Sequence, residues 1–220
     1  MSKKIGVFAG TPVDTDFGKD IFERAGFDVI SFALAKSPSE QTDLQYYHKN
    51  ELEQNIAKKS LEMQRSGVEK IVIYCNSLSS AVDYKSISKK TGIQILTPLE
   101  AYENLPKSVK SIALITANGI SAYKIDSVIR NSRSDIHTVT YSNLGLVEQI
   151  ERRLEPRQII KEQNIGGLIY YLENISSDKY KIDSILLGCT HFPYLKEEIK
   201  KITKLNIIDP ADYIISRIQQ

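Results

Sequence analysis

The feature that most limits how this chain can fold is an internal repeat of apolar, β-rich runs. Four runs occupy the first half: Lys4–Ala9 (KIGVFA), 27–34 (FDVISFAL), 70–75 (KIVIYC) and 93–97 (IQILT). Each is rich in β-branched or aromatic residues and lacks a helical period, so each reads as a strand. The segments between them read as helices. The clearest spans about 46–66, with Leu52, Ile56, Ser60 and Met63 on one face and Gly67 as its stop. Strands alternating with helices predict an α/β chain whose sheets are mostly parallel and covered on both faces. The second half repeats the plan with 110–116 (KSIALIT), 135–142 (DIHTVTYS), 183–189 (DSILLGC) and 205–209 (LNIID). A repeat of roughly 110 residues implies two α/β domains rather than a solenoid. Any two α/β halves share such a plan. Here, however, Cys75-Asn76-Ser77 and Cys189-Thr190-His191 also fall at the same point of it. The predicted division is 1–98 with about 207–220 as the first domain, and 99–206 as the second.

Charge and composition exclude several function classes. With 29 Lys and Arg against 27 Asp and Glu, the net charge of +2 is too balanced for nucleic acid or an anionic membrane as the main partner. No apolar run approaches the ~18 residues of a membrane span. The apolar stretch after Lys3-Lys4 is too short for a signal peptide, which points to a cytoplasmic protein. Two cysteines allow neither a disulfide framework nor a four-cysteine zinc site. Residues 10–18 do not form a Gly-x-Gly-x-x-Gly fingerprint, and no phosphate-binding Gly-x-x-x-x-Gly-Lys or Gly-x-Ser-x-Gly elbow occurs. The run KEEIKK at 196–201 reads as a solvated helix face, and 157–173, carrying Ile160, Leu168 and Leu172, as a core-facing helix.

The chemistry therefore rests on the cysteines. Each closes a strand and precedes a predicted helix, 78–90 after Cys75 and 195–202 after Cys189. In open α/β sheets ligands bind beyond the C-terminal strand ends, where helix N-termini offer backbone N–H groups and partial positive charge. Asn76, Ser77 and Thr190 are cap-type residues able to bind an anion, and the same field favours a thiolate. Two such halves facing each other across a cleft suit inversion at an amino-acid Cα. One thiolate removes the proton and the other cysteine, as a thiol, returns one to the opposite face. No metal or cofactor is needed for this. The bland alternatives stay open: buried cysteines acting as small hydrophobes, a disulfide, a zinc site with His48 or His137, and His191 as a surface residue.

The motif Leu187-Gly188-Cys189-Thr190-His191-Phe192-Pro193 resembles the second cysteine motif of the aspartate/glutamate racemase superfamily, in its glutamate racemase form. Cys75-Asn76-Ser77 resembles the first. The resemblance covers nearly the whole chain. It implies two pseudo-symmetric Rossmann-like domains with the active site in the inter-domain cleft, no cofactor, an amino-acid substrate and, in a superfamily that is often dimeric, a homodimer. It further implies that Cys75 and Cys189 are the acid/base pair, that His191 assists Cys189, and that Asn76, Ser77 and Thr190 hold the substrate. Gly10 and Thr11 would join them from the loop after the first strand.

Two departures bear on specificity. Glutamate racemases carry Asp-Ser-Gly after the first strand, where this chain has Ala9-Gly10-Thr11-Pro12-Val13-Asp14-Thr15, so that Thr11, Asp14 or Asp16 would have to reach the site. The Pro-Tyr-Gly segment is absent, with Ser37-Pro38-Ser39 in its region. The expected activity is a cofactor-independent racemase acting on glutamate or aspartate, supplying a D-amino acid for the cell wall or another use. The alternatives are a hydantoin racemase, maleate isomerase or decarboxylase type, and a non-catalytic amino-acid-binding homologue.

Overall fold

The computed structural model describes residues 2–46 and 48–220; Tyr47, inside the helix expected over 46–66, lies outside the described residues. The chain divides into two compact units, Met1–Ala101 with Ala211–Gln220, and Tyr102–Pro210.

The first unit runs β1 (Lys4–Ala9), α1 (Pro12–Arg24), β2 (Asp28–Ala33), α2 (Pro38–Asp43), α3 (Lys49–Arg65), β3 (Lys70–Ile73), α4 (Asn76–Ala81), α5 (Tyr84–Thr91) and β4 (Gln94–Leu96), with α6 (Pro98–Glu103) leading out of it. The second runs β5 (Ser111–Thr116), α7 (Gly119–Ser132), β6 (His137–Ser142), α8 (Leu144–Glu151), α9 (Pro156–Glu162), α10 (Ile165–Glu173), β7 (Ser184–Leu187), α11 (Lys196–Lys200) and β8 (Asn206–Ile208). The final helix, α12 (Pro210–Gln219), returns to the first unit.

The sheets have one topology. Their orders are β2-β1-β3-β4 and β6-β5-β7-β8, and every pairing is parallel. The α/β class with two parallel sheets is thus as the run pattern predicts. The two strands in the middle of each sheet are buried on both faces, which is why their sequences read as unbroken apolar runs rather than alternating ones. In the first unit Ile5, Val7, Phe22, Val72, Tyr74 and Leu96 form one core face, and Ala211, Ile214 and Ile218 of α12 pack into it. Lys3 donates to the Ile218 carbonyl at 2.9 Å and Lys70 to those of Arg217 and Ile218 at 3.3 Å, satisfying the orphan acceptors at the α12 C-terminus.

Several expected helices are broken in the structure. The stretch 78–90 is two helices, because Val82 is extended and Asp83 accepts from the Ser86 amide at 2.9 Å as a new N-cap. The stretch 157–173 is also two, divided at Asn164, whose φ of 49° is left-handed. After Cys189 the chain forms a 3₁₀ turn at Phe192–Leu195 before α11, not one helix over 195–202. Finally, the loop expected after the first strand is short: Pro12 starts α1 at once, with Thr11 as its cap.

Candidate active site

In the first unit, β1 pairs with β3 in the register Phe8↔Ile73. Gly10 and Cys75 each follow two residues later, so both lie beyond the C-terminal ends of adjacent strands. The second unit has the equivalent register, Ile115↔Leu187, with Cys189 two residues on. Both cysteines are therefore in the same topological place, the position at which open α/β sheets bind ligands. Each is buried, and neither forms a disulfide.

Around Cys75 the chain assembles a compact polar group. Asn76 and Ser77 form the first turn of α4 and are buried. The Ser79 amide donates to the Cys75 carbonyl at 2.9 Å, and the Ser79 hydroxyl to the Ile73 carbonyl at 3.2 Å, which fixes the turn. Thr11 is fully buried, and its hydroxyl accepts from the Asp14 amide at 3.1 Å. Asp14 answers by accepting from the Gly10 amide at 3.1 Å. Thr11 and Asp14 thus lock the start of α1 in a reciprocal cap. Asp14 belongs to that cap on α1, and Asp16 is exposed on the same helix. Gln41 of α2 reaches Cys75, its Nε2 donating to Sγ at 3.4 Å.

Around Cys189 the arrangement is a chain of three groups. His191 Nδ1 lies 3.6 Å from Cys189 Sγ, and its Nε2 lies 2.6 Å from Glu151 Oε1 at the end of α8. His191 is fully buried, so the surface-residue alternative is overturned. A carboxylate on Nε2 requires a proton there. That leaves Nδ1 of the neutral ring to accept from the thiol, or Nδ1–H of the charged ring to donate to the thiolate. Thr190 is buried beside the pair. The Phe192 amide donates to the Cys189 carbonyl at 3.1 Å, and the Tyr194 hydroxyl to the Leu154 carbonyl at 3.1 Å, anchoring the turn that carries the motif. Gly188 is required by packing. A Cβ there would stand 2.8 Å from Leu114 Cδ1 and Thr116 Cγ2 and 2.9 Å from the Ile115 carbonyl.

The helix termini contribute less than the sequence suggests. The helix after Cys75 has six residues, and a four-residue 3₁₀ turn follows Cys189, so few peptide dipoles are aligned on either sulfur. Side-chain contacts with Gln41 and with His191 lie at the sulfurs as well. Neither Glu151 nor Gln41 stands out in the sequence. Glu151 is 40 residues from His191, with no local motif, whereas Ser37-Pro38-Ser39-Glu40 just before Gln41 is a legible capping box. Among the described residues no group of three or more His, Cys, Asp and Glu side chains converges on a metal position. None of the described helices is long and apolar enough to cross a membrane.

Comparison with known proteins bears on the fold and on the relatives of the chain. No protein-family model matches the chain. A glutamate racemase of Clostridium novyi is 30% identical over 146 residues, which is 64% of this chain and 53% of that racemase. The chain thus spans little more than half the length of such curated relatives. Among solved structures, the glutamate racemase of Francisella tularensis in complex with D-glutamate superposes with a TM-score of 0.68 at 19% identity, covering 99% of this chain and 80% of that one. An aspartate racemase homologue from Pyrococcus horikoshii gives a TM-score of 0.68 at 16% identity, covering 99% and 97%.

Proposed function

We propose that this chain, a relative of the aspartate/glutamate racemase superfamily, is an amino-acid racemase that inverts glutamate by two-base proton transfer at Cα, using Cys75 and Cys189 and no cofactor. The observation that carries the reading is the equivalent placement of the two sulfurs. Each stands two residues beyond the same strand of the same sheet topology, and each has a side-chain hydrogen-bonding partner of its own. The glutamate racemases among its sequence relatives support the substrate.

In one direction the Cys75 thiolate takes the α-proton and becomes a thiol. The electron pair left on Cα delocalises into the substrate carboxylate, and the Cys189 thiol gives its proton to the opposite face. The reverse direction restores both sulfurs. His191, oriented by Glu151, relays or stabilises the proton at Cys189. Asn76 and Ser77 in one unit and Thr190 in the other hold the carboxylate and amino groups, with Gly10 and Thr11 shaping the floor beside Cys75. Aspartate is the second reading. It is favoured by the opening after the first strand, where this chain has Gly10-Thr11-Pro12 in place of the Asp-Ser-Gly of glutamate racemases.

The test is incubation with each enantiomer of glutamate and aspartate in D2O without added cofactor. Loss of the α-proton is followed by NMR and inversion by chiral separation. Exchange with inversion of glutamate is expected. Absence of exchange with all four would remove the racemase reading. Cys75→Ser and Cys189→Ser should each abolish inversion while leaving the protein folded.

A further inference from the structure

We propose that Gln41 is a positioning residue for Cys75, holding its sulfur through a side-chain amide that can serve both protonation states. The contact is Nε2 to Sγ at 3.4 Å, and Gln41 is 8% exposed. Its placement is built in. Ser37 Oγ accepts from the Glu40 amide at 3.2 Å, Glu40 Oε2 accepts from the Lys36 amide at 2.7 Å, and the Gln41 amide donates to the Ser37 carbonyl at 2.9 Å. The side-chain amide then lies where a side chain on Gly10 would have to go. A Cβ on Gly10 would stand 2.1 Å from Gln41 Cδ and Oε1 and 2.6 Å from Nε2. The absence of a side chain at position 10 is what lets the amide reach the sulfur.

Stability does not account for this residue. Gln41 Oε1 is buried with no hydrogen-bond partner, which is a cost to folding that an apolar side chain of similar size would avoid. Sulfur chemistry does account for it. A thiolate only accepts and a thiol needs an acceptor. A carboxylate can only accept and an ammonium only donate, whereas an amide offers both ends on one plane. Turned as it stands, Gln41 donates to a thiolate; turned by half a rotation about its last torsion, Oε1 receives the S–H. A cysteine that changes protonation state with every inversion needs such a partner. The proposal rests on the reading of Cys75 as an acid/base group.

The experiment is a pH titration of the intact protein carrying carbon-13 at cysteine Cβ, with the two NMR signals assigned by the single Cys→Ser variants. Gln41→Leu should raise the Cys75 midpoint by about one pH unit, since a donor to the charged form is lost. It should leave Cys189 unmoved and the melting temperature undiminished. Gln41→Glu should raise the midpoint further by adding like charge. Gly10→Ala displaces the amide without altering it, so it should give the same direction of shift, and combining it with Gln41→Leu should add little more. If Gln41→Leu fails to fold, Gly10→Ala and Gln41→Glu carry the test. An unmoved Cys75 midpoint in a folded Gln41 variant, or equal shifts at both cysteines, overturns the proposal. D2O exchange by the unaltered protein is measured beside it. A shifted midpoint without exchange would keep the Gln41 contact and remove the racemase reading instead.

Discussion

Replacing Glu151 with Gln isolates the charge that orients His191. The Nε2–Oε1 distance is 2.6 Å, His191 is fully buried, and the Glu151 side chain is 14% exposed, so solvent screens the pair little. Gln is isosteric and can still accept from Nε2–H. What is lost is the difference between a charge-assisted and a neutral hydrogen bond, about 1–2 kcal/mol. At RT near 0.6 kcal/mol this lowers the rate of proton transfer at Cys189 roughly 5- to 30-fold. Because the two enantiomers are equal in free energy, inversion measured as kcat/KM must fall equally in both directions. Exchange need not. The enantiomer deprotonated by Cys75 can still lose its α-proton to solvent and recapture deuterium from the same face. For that enantiomer alone the ratio of exchange to inversion should therefore rise by a similar factor. The assay is deuterium wash-in by NMR with parallel chiral analysis, and a melting curve confirms an intact fold. An unchanged ratio with unchanged inversion would refute the role assigned to the Glu151–His191 pair. A rise for both enantiomers would refute its confinement to Cys189.

Other outcomes follow from packing and charge. Gly188→Ala forces a Cβ against the Ile115 carbonyl and should destabilise by about 1–3 kcal/mol in urea unfolding, with loss of inversion as the Cys189 turn shifts. Ile218→Ala removes a fully buried side chain from the α12 contact and should cost about 2–5 kcal/mol by the same measurement. Asp135 is held well below the usual carboxylate range by hydrogen bonds from Arg133 and then Lys110. A depressed carboxylate stabilises above its unfolded pKa, and the contribution is lost as pH falls through the folded value. Asp135→Asn should thus lower the melting temperature slightly at neutral pH, and the gap to the parent should close on strong acidification. A gap that widens with acid would reverse the assignment.

The parallel sheets could be read from the sequence because β1, β3, β5 and β7 are covered on both faces, leaving runs such as KIGVFA and SILLGC with no polar interruption. The cysteines were readable for a related reason, since a strand end is marked by where such a run stops. Helix continuity was not. Asp83 and Asn164 sit among other polar residues in stretches that read as helical, and whether such a residue caps a new helix or points to solvent depends on its neighbours in space. The Asp83 amide, for example, donates to Glu53 at 2.7 Å. Glu151 and Gln41 escaped for the same reason. Each meets its sulfur or its histidine through folding alone, across 40 and 34 residues of chain.

The return of α12 has a consequence for how the protein is made. The first unit is discontinuous, so at the ribosome its β-strands and α1 emerge early while Ala211, Ile214 and Ile218, which close the face over Val7, Phe22 and Tyr74, emerge only after the whole second unit. Until then that face lacks its α12 cover, and Lys3 and Lys70 lack the Arg217 and Ile218 carbonyls. The second unit, made from one unbroken stretch, has all of its strands before the first can seal its core. Completion of the fold therefore runs opposite to the order of synthesis, and a nascent chain stalled just short of residue 211 would carry a finished second sheet while the first still lacks its α12 cover.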